Sequence, residues 1–239
     1  MISERDRIKK KINRISPNKW MADEFDVRYL LISKLKQEEF QSVLDVGGGI
    51  GIILSELDKT NLRVNIDLSF TDLKKCIHDL DSQINPICAS MTFIPFKQDI
   101  FDIVICSHVI ELAKLMDMNS KTNPVQRTTN VLTLVKEIHL VLKKDGKLFL
   151  TTPNFAYRQS PNKLTYSELN NVLSKFFNEL KIYFYNTLPK LANNRKFDFA
   201  NIIPKIWSKF SNPDKIINSL LKEESKNNYS VYFYAYARK

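Results

Sequence analysis

The chain has 239 residues, 44% of them hydrophobic, and a formal net charge of +10 at neutral pH. That length suits one α/β domain with insertions, or one domain plus a small cap, and the apolar fraction is enough for a sizeable core. No apolar run reaches the roughly 18 residues of a membrane span, and the opening segment MISERDRIKKKINRI lacks the apolar stretch of a signal peptide, so the expectation is a cytoplasmic protein without a transmembrane segment.

Cys76, Cys88 and Cys106 form no CxxC pair and have no histidines at metal-ligand spacing, which argues against a disulfide framework and against structural zinc. Basic residues gather at Arg5, Arg7, Lys9, Lys10, Lys11 and Arg14 and again along the C-terminal third. Such a balance favours nucleic acid, anionic lipid or a phosphorylated substrate as partner, or it is a solvated lysine-rich surface.

In chain order, residues 1–19 read as a basic helical lead-in, and 24–37 as a helix with Phe25, Tyr29, Leu30, Ile32 and Leu35 as its apolar positions. Together they suggest an N-terminal helical segment or lid over 1–39. An α/β alternation follows over 40–239. Ser42–Val46 is a short apolar strand, Ile50–Lys59 a helix and Arg63–Asp67 a strand. Leu68–Leu80 contains a helix, Pro86–Cys88 a short strand, and Phe101–Ser107 a continuous apolar strand of the kind buried on both faces.

After an irregular stretch at 112–130, Val131–Leu142 is a helix closed by a turn at Asp145-Gly146, and Lys147–Thr152 is the next strand. Thr165-x-x-Glu168 is a capping box that opens a helix through about Phe176. Leu180–Tyr185 and Ser230–Arg238 are the last strands, with 186–229 a partly helical cap inserted between them. Strands alternating with helices imply a mostly parallel sheet wrapped on both faces.

The chemistry concentrates in the first strand-to-helix turn. Four of the five glycines are Gly47, Gly48, Gly49 and Gly51, where a bare backbone can turn sharply and approach a ligand. The spacing is not the G-x-G-x-x-G of a dinucleotide site, because Ile52 and Leu54 stand where its last glycine would fall. It is Asp-x-Gly-x-Gly-x-Gly, led by Asp45. An acid there is a poor neighbour for pyrophosphate and a good one for the ammonium group of a methionine moiety, which favours S-adenosylmethionine over NAD. Asp67, at the end of the second strand, either caps the following helix or accepts bonds from both ribose hydroxyls; with the glycine turn before it, the spacing points to ribose.

VLDVGGGIG, NIDLS, SMTFIPF with FDIVICSHVIEL, and LVKEIHLVLKKDGKLFLTTPN together resemble the class I S-adenosylmethionine-dependent methyltransferases over residues 40–155, and VYFYAYARK fits their closing strand. The resemblance is nearest to the broad group that modifies small molecules, lipids and glycans. It implies a Rossmann-like seven-stranded sheet whose last strand is antiparallel. It also implies that Gly47, Gly49 and Gly51 form the turn against the methionine part, Asp45 holds its amino group, Asp67 grips the ribose and Leu68 lies beside the adenine. Ser90 falls where the family usually has an aspartate for the adenine amine, which implies weaker adenine recognition. Met91 would offer its backbone N–H to the ring, and Ser107 and His108 would lie near the reacting methyl group.

His108 is the candidate general base, with Glu111 one turn on to orient it; the alternative is a packing role. Three functions stay open at this level. One is a methyltransferase acting on an O, N or C nucleophile of a small molecule, lipid or glycan, with peripheral membrane contact through the cap. Another is an RNA methyltransferase, favoured by charge but lacking an Asn-Pro-Pro-Tyr-like or Pro-Cys motif. The last is a non-catalytic protein that only binds the cofactor.

Overall fold

The computed structural model describes residues 3–15, 25–57, 60–119, 129–154, 160, 162–187 and 230–239. In chain order these form α1 (Glu4–Ile15), α2 (Phe25–Leu35), β1 (Ser42–Val46), β2 (Leu62–Asp67) and α3 (Phe70–Lys75), then β3 (Asn85–Cys88), β4 (Phe101–Ser107), α4 (Ile110–Asn119) and α5 (Thr129–Val141). β5 (Leu142–Pro153), α6 (Tyr166–Leu173), β6 (Glu179–Thr187) and β7 (Ser230–Arg238) follow. The strands make one seven-stranded sheet in the order β3-β2-β1-β4-β5-β7-β6. β1 to β5 pair in parallel, and β7 lies antiparallel between β5 and β6. Six strands therefore run one way and the last one runs against them, the Rossmann-like arrangement expected from the sequence.

The two-residue period of a strand divides the core between the sheet's faces. In β4, Val104 and Cys106 join the cluster under α4, α5 and α6, while Ile103 and Ile105 join the cluster under α1 and α2. In β1, Leu44 and Val46 belong to the first cluster and Val43 to the second. Asp45 shares Val43's parity and so faces the α1/α2 side. In β2, Val64 and Ile66 take the first cluster, which leaves Arg63, Asn65 and Asp67 on the α1/α2 side. One face of β1 and β2 thus carries, at its carboxyl end, the polar residues that build the site.

The N-terminal helices are part of this core. Ile8 and Ile12 of α1 are buried with Leu31, Ile32 and Leu35 of α2, each burial stabilising the fold by about 1.5–3 kcal/mol. α1 is also fastened by charge. Glu56, only 5% exposed, accepts hydrogen bonds from Arg7 and from Lys11, the latter at 3.0 Å. Burial by itself would raise the Glu56 pKa, but the bonds from Arg7 and Lys11 outweigh it and hold the carboxyl below its ordinary range.

Several elements differ from their sequence expectation. Ile50–Lys59 is not an α-helix: the chain makes turns to Ile53 and then one 3-10 turn at Leu54–Glu56, with 58–59 outside the described residues. The reason is Gly51, whose φ of +75° cannot continue a right-handed helix. The stretch 112–130 is not irregular throughout, since α4 runs to Asn119 and α5 begins at Thr129. Its Ile110 and Ala113, both fully buried, supply the helical spacing.

The turn at Asp145-Gly146 lies inside β5 as an irregularity, where the pairing of β4 shifts between Phe101 and Ile103 and Asp145 adopts φ +65°. The capping box forms as expected, but α6 ends at Leu173 rather than near Phe176. β6 is two residues longer at its C-terminal end than expected. Residues 188–229, most of the expected cap, lie outside the described residues.

The Glu56 latch has a testable consequence. Glu56→Gln is expected to lower stability by about 1–3 kcal/mol at neutral pH. Because the folded carboxyl titrates below its unfolded value, wild-type stability gained from Glu56 is present above about pH 4.5 and lost as pH falls through the folded pKa. Melting curves should therefore show a gap between wild type and variant at neutral pH that closes in acid; a gap that is independent of pH would contradict the charge latch.

Candidate functional site

The carboxyl ends of β1, β2 and β4 open into a cleft of about 450 Å³. Its floor is the glycine turn that β1 feeds. The two peptides that flank Gly49 are both held by β2: the Gly49 N–H donates to Asp67 Oδ2 at 2.9 Å, and its C=O accepts from Asn65 Nδ2 at 2.8 Å. The second Asp67 oxygen accepts from the Ser69 backbone N–H at 2.8 Å. Each carboxylate oxygen has a further lone pair, so Asp67 can fix the turn and still accept bonds from a ligand in the cleft. The helix-capping reading of Asp67 is corrected, because its bond goes to the Ser69 N–H and not to the first turn of α3. The cap proper is Ser69, whose hydroxyl accepts from the Asp72 N–H.

Two glycines of the turn do different work. Gly49 has φ +55° and nothing within 4 Å of where a Cβ would stand, so its left-handed backbone borders open space in the cleft. Gly51 has φ +75° and a Cβ there would lie 2.5 Å from Cys76 Sγ, so it serves close packing against the α3 segment. Gly47 lines the cleft with Gly48 and Gly49, whereas Gly51 does not.

Asp45 is 1% exposed. Burial raises its pKa to about 7, with Arg28 opposing and Asp67 adding to the rise. Its Oδ1 has no hydrogen-bond partner among the described residues. A buried carboxyl with an unsatisfied oxygen at the wall of a cleft fits a cationic ligand group, because the alternative is an uncompensated desolvation cost of about 1–3 kcal/mol. Arg28, on α2, lines the same cleft and is itself buried. Arg28's place here, as a cation acting on Asp45, was not read from the sequence. The only signal is an arginine inside the apolar pattern of α2, between Val27 and Leu31.

Leu68, Met91, Ser107 and His108 also line the cleft. Ser90 does not. Its hydroxyl is hydrogen-bonded to Thr92 Oγ1 at 2.9 Å and accepts the Thr92 N–H at 3.2 Å, which makes it the lock of the turn that presents Met91. At the end of β4, Ser107 Oγ and Thr151 Oγ1 are 3.0 Å apart and hydrogen-bonded.

His108 follows with φ +59°, a left-handed conformation uncommon for a non-glycine residue. Its N–H is held by Thr151 O at 2.9 Å. Glu111 Oε1 lies 3.5 Å from His108 Nδ1, while Thr152 Oγ1 donates to Glu111 Oε2 at 3.0 Å. The Tyr232 ring meets the imidazole edge to face at 5.4 Å. The expected His108–Glu111 pair is thus assembled, with Thr152 and Tyr232 as further partners that sequence spacing alone did not link to it.

Residues 44–150 match the family model for a methyltransferase domain. That match takes in the glycine turn, Asp67 and the ends of β2 and β4 that open into the cleft. It is 30% identical over 135 residues to the uncharacterized protein MJ0638 of Methanocaldococcus jannaschii, a match covering 56% of this chain and 51% of that protein; it therefore spans about half of that relative's length. The fold is similar to a SAM-dependent methyltransferase from Archaeoglobus fulgidus, with a TM-score of 0.58 at 16% identity over 93% of this chain and 100% of that one. It is equally similar to the [4+2]-cyclase SpnF, with a TM-score of 0.58 at 15% identity over 90% of this chain and 80% of that one.

The two glycine roles predict different penalties. Gly49→Ala keeps its neighbours and incurs only the left-handed backbone penalty of about 1–2 kcal/mol. Gly51→Ala adds the Cys76 clash and should lose more. Urea unfolding of the two variants checks this, and equal losses would count against a packing role for Gly51.

Proposed function

We propose that this chain transfers a methyl group from S-adenosylmethionine to an O, N or C nucleophile of a small-molecule, lipid or glycan acceptor. The observation that carries the reading is the pairing, across one cleft, of a buried carboxyl with an unpartnered oxygen at Asp45 and a clamped glycine turn beside Asp67.

In this reading Asp45 holds the methionine ammonium and Arg28 its carboxylate. The backbone of Gly47 and Gly49 lies against the methionine part, Asp67 holds the ribose, and Leu68 and Met91 border the adenine. When bound, the cofactor supplies a sulfonium methyl that is already electrophilic. What remains for the chain is to align a nucleophile and exclude water. In the same reading His108 takes the acceptor's proton, with Glu111 3.5 Å from its Nδ1 and Thr152 bonded to Glu111. The cyclase neighbour shows that likeness of fold does not decide chemistry, so transfer itself must be measured.

Calorimetry should detect binding of S-adenosylmethionine, and Asp67→Ala should weaken it by about 2 kcal/mol, roughly thirtyfold. No heat and no thermal shift with wild type would end the reading. Labelled cofactor offered with lipid, small-molecule and RNA fractions identifies the acceptor class; label in the RNA fraction alone would replace the acceptor proposed here.

The pH dependence follows from Asp45. An ammonium needs the ionised carboxylate, and that carboxyl titrates at about 7. Affinity should rise as pH increases from about 6 and level off above about 8. Asp45→Asn should bind more weakly and without this slope. If His108 acts as base, His108→Gln should lower kcat by about 10²- to 10⁴-fold while leaving cofactor affinity intact; equal losses in both would make it a packing residue.

A further inference from the structure

Six of the eight large hydrophobic side chains that stand exposed among the described residues lie at the carboxyl end of the sheet: Leu68, Phe70, Phe93, Leu112, Leu115 and Met116. Leu68 and Leu112 line the cleft. Phe70 is two residues beyond Leu68, Phe93 two residues beyond cleft-lining Met91, and Leu115 and Met116 one turn along α4 from Leu112. Each of the six is thus in the cleft's lining or within one helical turn of a lining residue along the chain, an interrupted apolar ring beside the opening. Phe70 and Phe93 are the most prominent, 62% and 73% exposed.

Cations stand beside this ring. Lys74 Nζ lies 4.7 Å from the centre of the Phe70 ring, and the exposed Lys75 lines the cleft. Arg5 and Lys9 of α1 lie over the Phe25 ring at 5.4 and 5.9 Å, one helical turn before cleft-lining Arg28. Asp45, Asp67 and Asp72 are the acidic residues in the cleft's lining.

We propose that the mouth of the cleft docks on an anionic lipid surface, so that the acceptor enters from the membrane. Isolated exposed hydrophobes are ordinary, but large ones concentrated around one opening mark a contact surface. Aromatic and aliphatic tips flanked by lysines have the chemistry of an interfacial contact: the tips enter the acyl boundary and the ammonium groups reach anionic headgroups. A protein seated on this ring would close the acceptor's route, whereas a lipid surface can supply the acceptor itself. The net charge of +10 adds attraction at a distance. The proposal that the acceptor enters here rests on the methyl-transfer reading of the cleft; the docking does not.

Flotation of the full chain with phosphatidylcholine vesicles, with and without phosphatidylglycerol, tests it. Wild type should float with the anionic vesicles and much less with the neutral ones. The double variant Phe70→Ser/Phe93→Ser should lose about tenfold or more in partition while its thermal shift with S-adenosylmethionine equals that of wild type, which shows an intact fold and cleft. Wild type that ignores both vesicles overturns the proposal, as does a double variant that floats like wild type. Self-association abolished by the two serines, without vesicle binding, would make the ring a protein contact and also overturn it. Flotation without any thermal shift in wild type would leave the docking standing and remove the methyl-transfer reading instead.

Discussion

The site depends on how one residue is held. Gly49 donates its N–H to Asp67 and its C=O accepts from Asn65, two side chains that leave the same face of β2 because they are two residues apart. β2 therefore sets both the shape of the turn that follows β1 and the position of the carboxylate beside it. With Gly49 fixed from the β2 side, the turn leaves its other side open to the cleft. The usual cost of a left-handed backbone is offset by two hydrogen bonds, one of them charge-assisted.

The same parity accounts for the rest of the polar wall. Asp45 and Asn65 are opposite each other in the β1–β2 register, and both project towards α2, which carries Arg28. A carboxyl buried this deeply is costly when charged, and its pKa near 7 expresses that cost. A cationic ligand group would relieve it. α2 is thus a wall of the site as well as part of the core. The Glu56 latch ties α1 to the 3-10 turn that leaves the glycine segment.

A different logic operates at the end of β4. Ser107 and Thr151 share a register position in the β4–β5 ladder and satisfy one another. His108, left-handed and held by Thr151, then redirects the chain into α4, whose first turn brings Glu111 back beneath the imidazole. This polar cluster lies next to an apolar mouth.

Much of this was legible in the amino-acid order, because local rules governed it. The alternation of apolar strands and helices, the capping box at Thr165, the concentration of glycines and the spacing from Asp45 to Asp67 are short-range facts, and the sheet realised them. Other features required the tertiary structure. The helix expected after the glycines was displaced by the φ of Gly51, which answers to Cys76 from another element. The Ser90 hydroxyl turned to Thr92 rather than to the cleft. Arg28 and Asn65 became site residues only when α2 and β2 were set against β1. Periodicity records which face of an element is buried; it does not record what that face will meet, since the partners come from residues far away in the chain and are chosen by packing.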